Sequence, residues 1–80
     1  MKISACISSR IRQILNERNL TIYRLELMTG ISHNTMMCLL NNRYNSANIR
    51  TVFIIIQALG YTIADFFNCD VFSLENIEID

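Results

Sequence analysis

Apolar residues return at helical intervals through most of this chain. Ile7, Ile11, Ile14 and Leu15 recur three and four positions apart, which predicts a first amphipathic helix over about 5 to 18, with Ser4 or Ser8 as its cap. Asn19-Leu20 ends it, and Thr21 caps a second helix, 22 to 29, that carries Leu25 and Met28 inward. Gly30 supplies a turn where a side chain would clash. Ser32 then caps a third helix, 33 to 41, with Met36, Leu39 and Leu40 on its inner face. The polar stretch NNRYNSAN at 41 to 48 reads as a loop. A fourth helix, 49 to 59, sets Ile49, Val52, Phe53, Ile55, Ile56 and Leu59 within one broad arc, with Ile54 opposite. Gly60 stops that helix, and Thr62 caps a last short turn carrying Ile63, Phe66 and Phe67.

The final segment, 68 to 80, has poor helical periodicity and reads as tail, strand or interface arm. The pattern therefore predicts an all-α chain, with a five-helix body over 1–67 and an acidic, apolar C-terminal tail over 68–80. Two short helices around Gly30, with a capping Thr, an inward Leu four residues later and then Gly-Ile-Ser, describe a helix-turn-helix. In such a motif the second helix enters the major groove, leading with its N-terminal residues. Helix N-termini offer unpaired N–H groups to phosphate, which makes Thr21 and Ser32 candidate backbone clamps.

Composition changes the picture in two places. Apolar residues make up 51% and charged residues 18%, which is rich in apolar side chains for a domain of 80 residues. Yet the longest apolar run, 52 to 56, is too short to cross a bilayer, and no apolar leader is visible, so a cytoplasmic protein without a membrane partner is expected. Net charge is zero, but it divides unevenly. Residues 1–64 hold seven basic residues against Glu17 and Glu26, giving +5, while 65–80 hold five acidic residues and no basic one. A basic body suits phosphate, and an acidic tail screens or binds elsewhere.

No enzymatic chemistry is legible. Cys6, Cys38 and Cys69 form no CxxC pair, and with one histidine they give no metal-ligand spacing. There is no glycine-rich phosphate cradle either, so no catalytic residue, metal or cofactor is expected.

From Ile7 to Phe67 the chain resembles the XRE family, the small DNA-binding domains of lambda-type repressors and Cro proteins. The resemblance rests on the ordered set Leu20-Thr21, Leu25, Gly30-Ile31-Ser32, Thr35, Leu39 and Leu59-Gly60. It implies a five-helix lambda repressor-like bundle, usually dimeric, that binds operator DNA. By the same resemblance His33 and Asn34 meet base edges, Met37 and Cys38 match positions facing DNA, and Thr35 and Arg43 match positions near the backbone. Asn34 suits a bidentate contact to adenine. Tyr44 either meets the sugar-phosphate backbone or packs on the body. Met37 and Cys38 offer only apolar contact, either to a thymine methyl or to another protein.

The chain departs from the family pattern at four positions. Ile22 replaces a frequent Gln, Asn42 replaces the Gly ending the third helix, and Ala47 replaces a loop Pro. Glu26 stands where a small residue lets the two helices approach, so either the helices sit apart or its carboxylate swings to the edge. In the tail, Val71, Phe72, Leu74, Ile77 and Ile79 are too few for a core of their own. They bury against the body or a second subunit, and a homodimer through Phe66, Phe67, Val71, Phe72 and Ile77 is expected. The leading reading is a sequence-specific, repressor-like transcriptional regulator with double-stranded DNA as partner. The alternative is a protein-interaction module, antitoxin-like or a regulatory partner, that keeps the fold without DNA readout.

Overall fold

Four side chains decide where helices begin. Thr21 Oγ1 accepts the Arg24 N–H at 3.0 Å, Ser32 Oγ accepts that of Thr35 at 3.2 Å, and Thr62 Oγ1 accepts that of Asp65 at 3.0 Å. Asn48 Oδ1 accepts two, from Arg50 at 2.9 Å and Thr51 at 3.2 Å. Each such cap stabilises its helix by about 1 kcal/mol. In the computed structural model, which describes residues 1–43 and 47–78, they open α2 (Ile22–Thr29), α3 (His33–Leu40), α5 (Ile63–Phe67) and α4 (Ile49–Ala58). The first helix, α1, covers Ile3–Glu17. The fold is all-α, with five α-helices among the described residues and a helix-turn-helix formed by α2 and α3.

Left-handed residues mark the stops. Gly30 (φ 74°) ends α2 and Gly60 (φ 78°) follows α4, while Asn19 (φ 54°) and Asn42 (φ 51°) do the same after α1 and α3. Asparagine tolerates this region better than most side-chain-bearing residues, so Asn42 replaces the family's Gly without breaking the turn.

All five helices contribute to one core. Ile11 and Ile14 of α1, Leu25 of α2, Met36 of α3, Ile55 of α4 and Phe66 of α5 are fully buried. Burying each such side chain stabilises the fold by about 1.5–3 kcal/mol before entropy is counted.

Several sequence expectations are corrected. The first helix starts at Ile3 behind Lys2, with no side-chain cap, so Ser4 and Ser8 lie inside it and are buried. Ser8 Oγ donates instead to the Ala5 carbonyl at 3.0 Å. Met28, Ile49 and Phe53, expected inward, are exposed. Periodicity fixes the centre of an apolar arc, whereas neighbouring helices fix how wide a strip of it they cover.

The tail folds back on its own chain. A 3-10 turn at Asp70–Phe72 packs against α1, and Phe66, Phe67 and Phe72 form a ring cluster with centroids 4.8 to 6.1 Å apart. The chain then returns to its start: the Glu78 N–H donates to the Met1 carbonyl at 2.8 Å, and the Met1 amine donates to the Asn76 carbonyl at 2.6 Å. Phe66 therefore belongs to the core and presents no surface to a second subunit. Phe67, Val71, Phe72 and Ile77 are each half-buried, with Phe67 and Phe72 packed against the core. Ile79 and Tyr44 lie outside the described residues.

Candidate nucleic-acid interface

The turn between α2 and α3 is held by short side chains. Thr29 Oγ1 donates to the Leu25 carbonyl at 2.9 Å and accepts the Ile31 N–H at 3.2 Å. The Gly30 N–H donates to the Glu26 carbonyl at 2.9 Å. Ser32 then caps α3 and also donates its hydroxyl to Thr35 Oγ1 at 3.0 Å, so Thr35 is tied to the helix start.

This arrangement leaves His33, Asn34 and Thr35 exposed in the first turn of α3, while Met36 and Leu39 are buried behind them. Asn34, Met37 and Cys38 stand at three- and four-residue spacing and share a face. Met37 and Cys38 are half-buried, and Arg43 reaches back so that its Nη1 lies 3.8 Å from the Cys38 sulfur. None of α2, α3 and α4 carries an acidic residue in its first turn, whereas α5 carries Asp65. The positive ends of α2 and α4 thus meet no acidic residue of their own first turn, while the start of α3 has the Glu26 carboxylate at His33.

Glu26 resolves the conflict its position poses. Its carboxylate leaves the crossing of the two helices and reaches His33, with Oε2 2.8 Å from Nδ1. Glu26 is nearly buried at 12% side-chain exposure, while His33 is 74% exposed. The sequence pattern marks Glu26 as out of place but does not name its partner, which lies seven residues on and across a turn.

The arginines separate into two groups. Three from α1 and its C-terminal cap serve the C-terminal ends of other helices: Arg12 Nε donates to the Leu40 carbonyl of α3, Arg18 Nη1 to the Leu59 carbonyl after α4, and Arg10 Nε to the Phe66 carbonyl of α5. Arg18 also lies over the Tyr61 ring at 4.6 Å. Among the described residues, the side chains of Arg24 and Arg50 make no hydrogen bond or ion pair, and both are exposed, as is Arg43. No three His, Cys, Asp or Glu residues gather as a metal site among the described residues.

A family model described as the Cro/C1-type HTH DNA-binding domain matches residues 10–71. The chain belongs to that family. The matched span runs from Arg10 through the helix-turn-helix to the first residues of the tail's 3-10 turn, so it takes in α2 to α5 whole. Comparison with curated proteins and with solved structures gave no match. Within this Cro/C1-type domain, Thr21 and Ser32 are exposed at the N-termini of α2 and α3, each engaged as a cap. Asn48 is a cap that the loop-like stretch around it conceals, although an Asn just before an apolar periodic run is a recognisable start signal.

Proposed function

We propose that this Cro/C1-type domain is a sequence-specific, repressor-like transcriptional regulator. It binds operator DNA as a homodimer with α3 in the major groove. In this reading His33, Asn34, Met37 and Cys38 meet base edges, and Thr21, Ser32, Thr35, Arg43 and Tyr44 meet the backbone. The observation that carries it is the Ser32-capped start of α3, which holds His33 and Asn34 out in solvent on a helix whose other side is core. Arg24, Arg43 and Arg50 supply exposed positive charge beside it in sequence, at the start of α2, after α3 and at the start of α4.

Pairing is proposed through surface that the tail leaves uncovered. Phe67 of α5 and Phe72 of the tail pack on the core, and the tail's Val71 and Ile77 are half-buried. Phe53 and Ile63 remain exposed and line a groove of about 490 Å³ with Ile56, Tyr61 and Thr62. A two-fold dimer supplies the two recognition helices that a pseudo-palindromic operator needs.

The test is binding to genomic fragments from low to moderate salt, with Asn34→Ala and Arg43→Ala alongside the wild type. Saturable binding that falls steeply with salt, and is weakened in both variants, is expected. Wild-type binding no stronger than to arbitrary DNA at low salt would contradict the proposal. It would turn attention to the interaction-module reading, which the exposed Tyr23, Leu27, Ile49, Phe53 and Ile63 favour.

A further inference from the structure

The Glu26–His33 contact joins a nearly buried carboxylate to an exposed ring at the leading end of α3. An ionised carboxylate offers only acceptors, so the proton between Oε2 and the ring belongs to Nδ1. The hydrogen bond made by one imidazole nitrogen decides which form of the ring is present. With Nδ1–H given to Glu26, Nε2 is the nitrogen left for a ligand, and in the neutral ring it is an acceptor. In the major groove the donors are the exocyclic amino groups of adenine and cytosine, whereas guanine N7 and O6 and thymine O4 are acceptors.

We infer that Glu26 is a positioning residue for base recognition by His33: it holds Nδ1–H and, in the neutral ring, directs Nε2 as an acceptor toward an adenine or cytosine amino group. The inference rests on the DNA-binding reading above and adds which bases His33 selects and why. The Glu26 carboxylate has no other partner among the described residues. A residue at this place in α2 thereby acts on the DNA through α3 without touching DNA itself.

Two measurements test it. Ring nitrogen spectra of the free domain, taken at a pH where the ring's own shifts report the neutral form, are expected to show the Nδ1–H tautomer in the wild type. Glu26→Ala shifts the ring toward Nε2–H, and Glu26→Gln, whose amide can accept from Nδ1–H or donate to a bare Nδ1, gives a mixture of the two forms. Thermal unfolding of each variant confirms that it folds, and Ala at this helical position keeps good helix propensity. A wild-type ring already in the Nε2–H form, or one unchanged by Glu26→Ala, overturns the inference without reference to DNA.

The second measurement is selection of binding sites from random duplexes at the same pH. The wild type is expected to enrich adenine or cytosine at one position per half-site, with Glu26→Ala and His33→Ala losing that preference at least tenfold and Glu26→Gln falling between. A Glu26→Ala protein that keeps a preference His33→Ala loses overturns the inference while leaving the DNA-binding reading intact. A wild type that enriches no sequence overturns both, whatever the tautomer.

Discussion

The guanidinium of Arg10 is bound to the backbone of α5: Nε donates to the Phe66 carbonyl at 2.8 Å and Nη2 to the Asp65 carbonyl at 3.1 Å. Nη1 completes the arrangement by donating to Gln13 Oε1 at 3.0 Å. Fifty-six residues separate Arg10 from Phe66, so this contact closes the bundle end to end. Its wider meaning is that α5, only five residues long, has no basic residue in its last turn and takes its compensating charge from α1. The same holds for α3 through Arg12 and for α4 through Arg18.

Arg10 is accordingly a stability residue. Arg10→Met leaves two carbonyls of α5 without their charged donor, and a loss of about 2–3 kcal/mol is expected from hydrogen bonds to a charged group. Arg10→Lys recovers only part of it, because one ammonium cannot reproduce the planar fork that serves three acceptors. Urea unfolding of the three proteins measures this, and an unchanged midpoint for Arg10→Met would contradict it.

The division of the arginines also sets the salt dependence of DNA binding. Arg10, Arg12 and Arg18 are engaged with carbonyls, and Lys2 has a partner too, which leaves Arg24, Arg43 and Arg50 for phosphate. Three phosphate contacts per protomer give a slope of log affinity against log salt of about −3, or about −5 for a dimer. Titrations across salt should show Arg43→Ala flattening that slope by about 1 per protomer, and Arg12→Gln leaving it nearly unchanged. The reverse order would show that the positive face lies on α1.

At Gly30, where the sequence suggests that a side chain would clash, the cost of one is conformational alone. A Cβ built there meets nothing within 4 Å, yet φ is 74°. Gly30→Ala should therefore lose about 1–2 kcal/mol from the left-handed backbone, with no steric clash to add. Thermal unfolding decides it, and a loss well beyond that range would mean the turn between α2 and α3 has moved.

These features differ in how far the sequence discloses them. Thr21, Ser32 and Thr62 are legible as caps because a cap acts on N–H groups two or three residues away. Ser4 and Ser8 mislead because α1 begins before them, behind an uncapped Lys2. Arg10 reads as an ordinary exposed arginine, since its acceptors are backbone groups 55 and 56 residues distant. The tail shows no periodicity because backbone contacts to Met1 and one 3-10 turn hold much of it, with Phe72 its main ring on the body. At the candidate site, exposure of His33 and Asn34 follows from the Ser32 cap and the core positions of Met36 and Leu39. The tie from Glu26 to His33 depends on how α2 and α3 cross, which no local pattern encodes.

Self-association is expected to depend on the uncovered face of α4 and α5. Phe53→Asp places a charge beside Ile63 in the groove, and it should convert a dimer to monomers in analytical ultracentrifugation without unfolding the domain. Val71→Asp should instead loosen the tail and lower stability while leaving association largely intact. If only Val71→Asp dissociates the protein, the tail is the interface.

The central claim is that α3 reads base sequence through its first turn. The most direct measurement is the ratio of affinities, at one fixed salt concentration, for a selected duplex and for a scrambled duplex of equal length. For the wild type a ratio of about 10³ or more is predicted. For Asn34→Ala the ratio should fall by an amount worth about 1–3 kcal/mol for each adenine the side chain no longer holds. Equal affinities for the two duplexes, with Asn34→Ala indistinguishable from wild type, would contradict the claim.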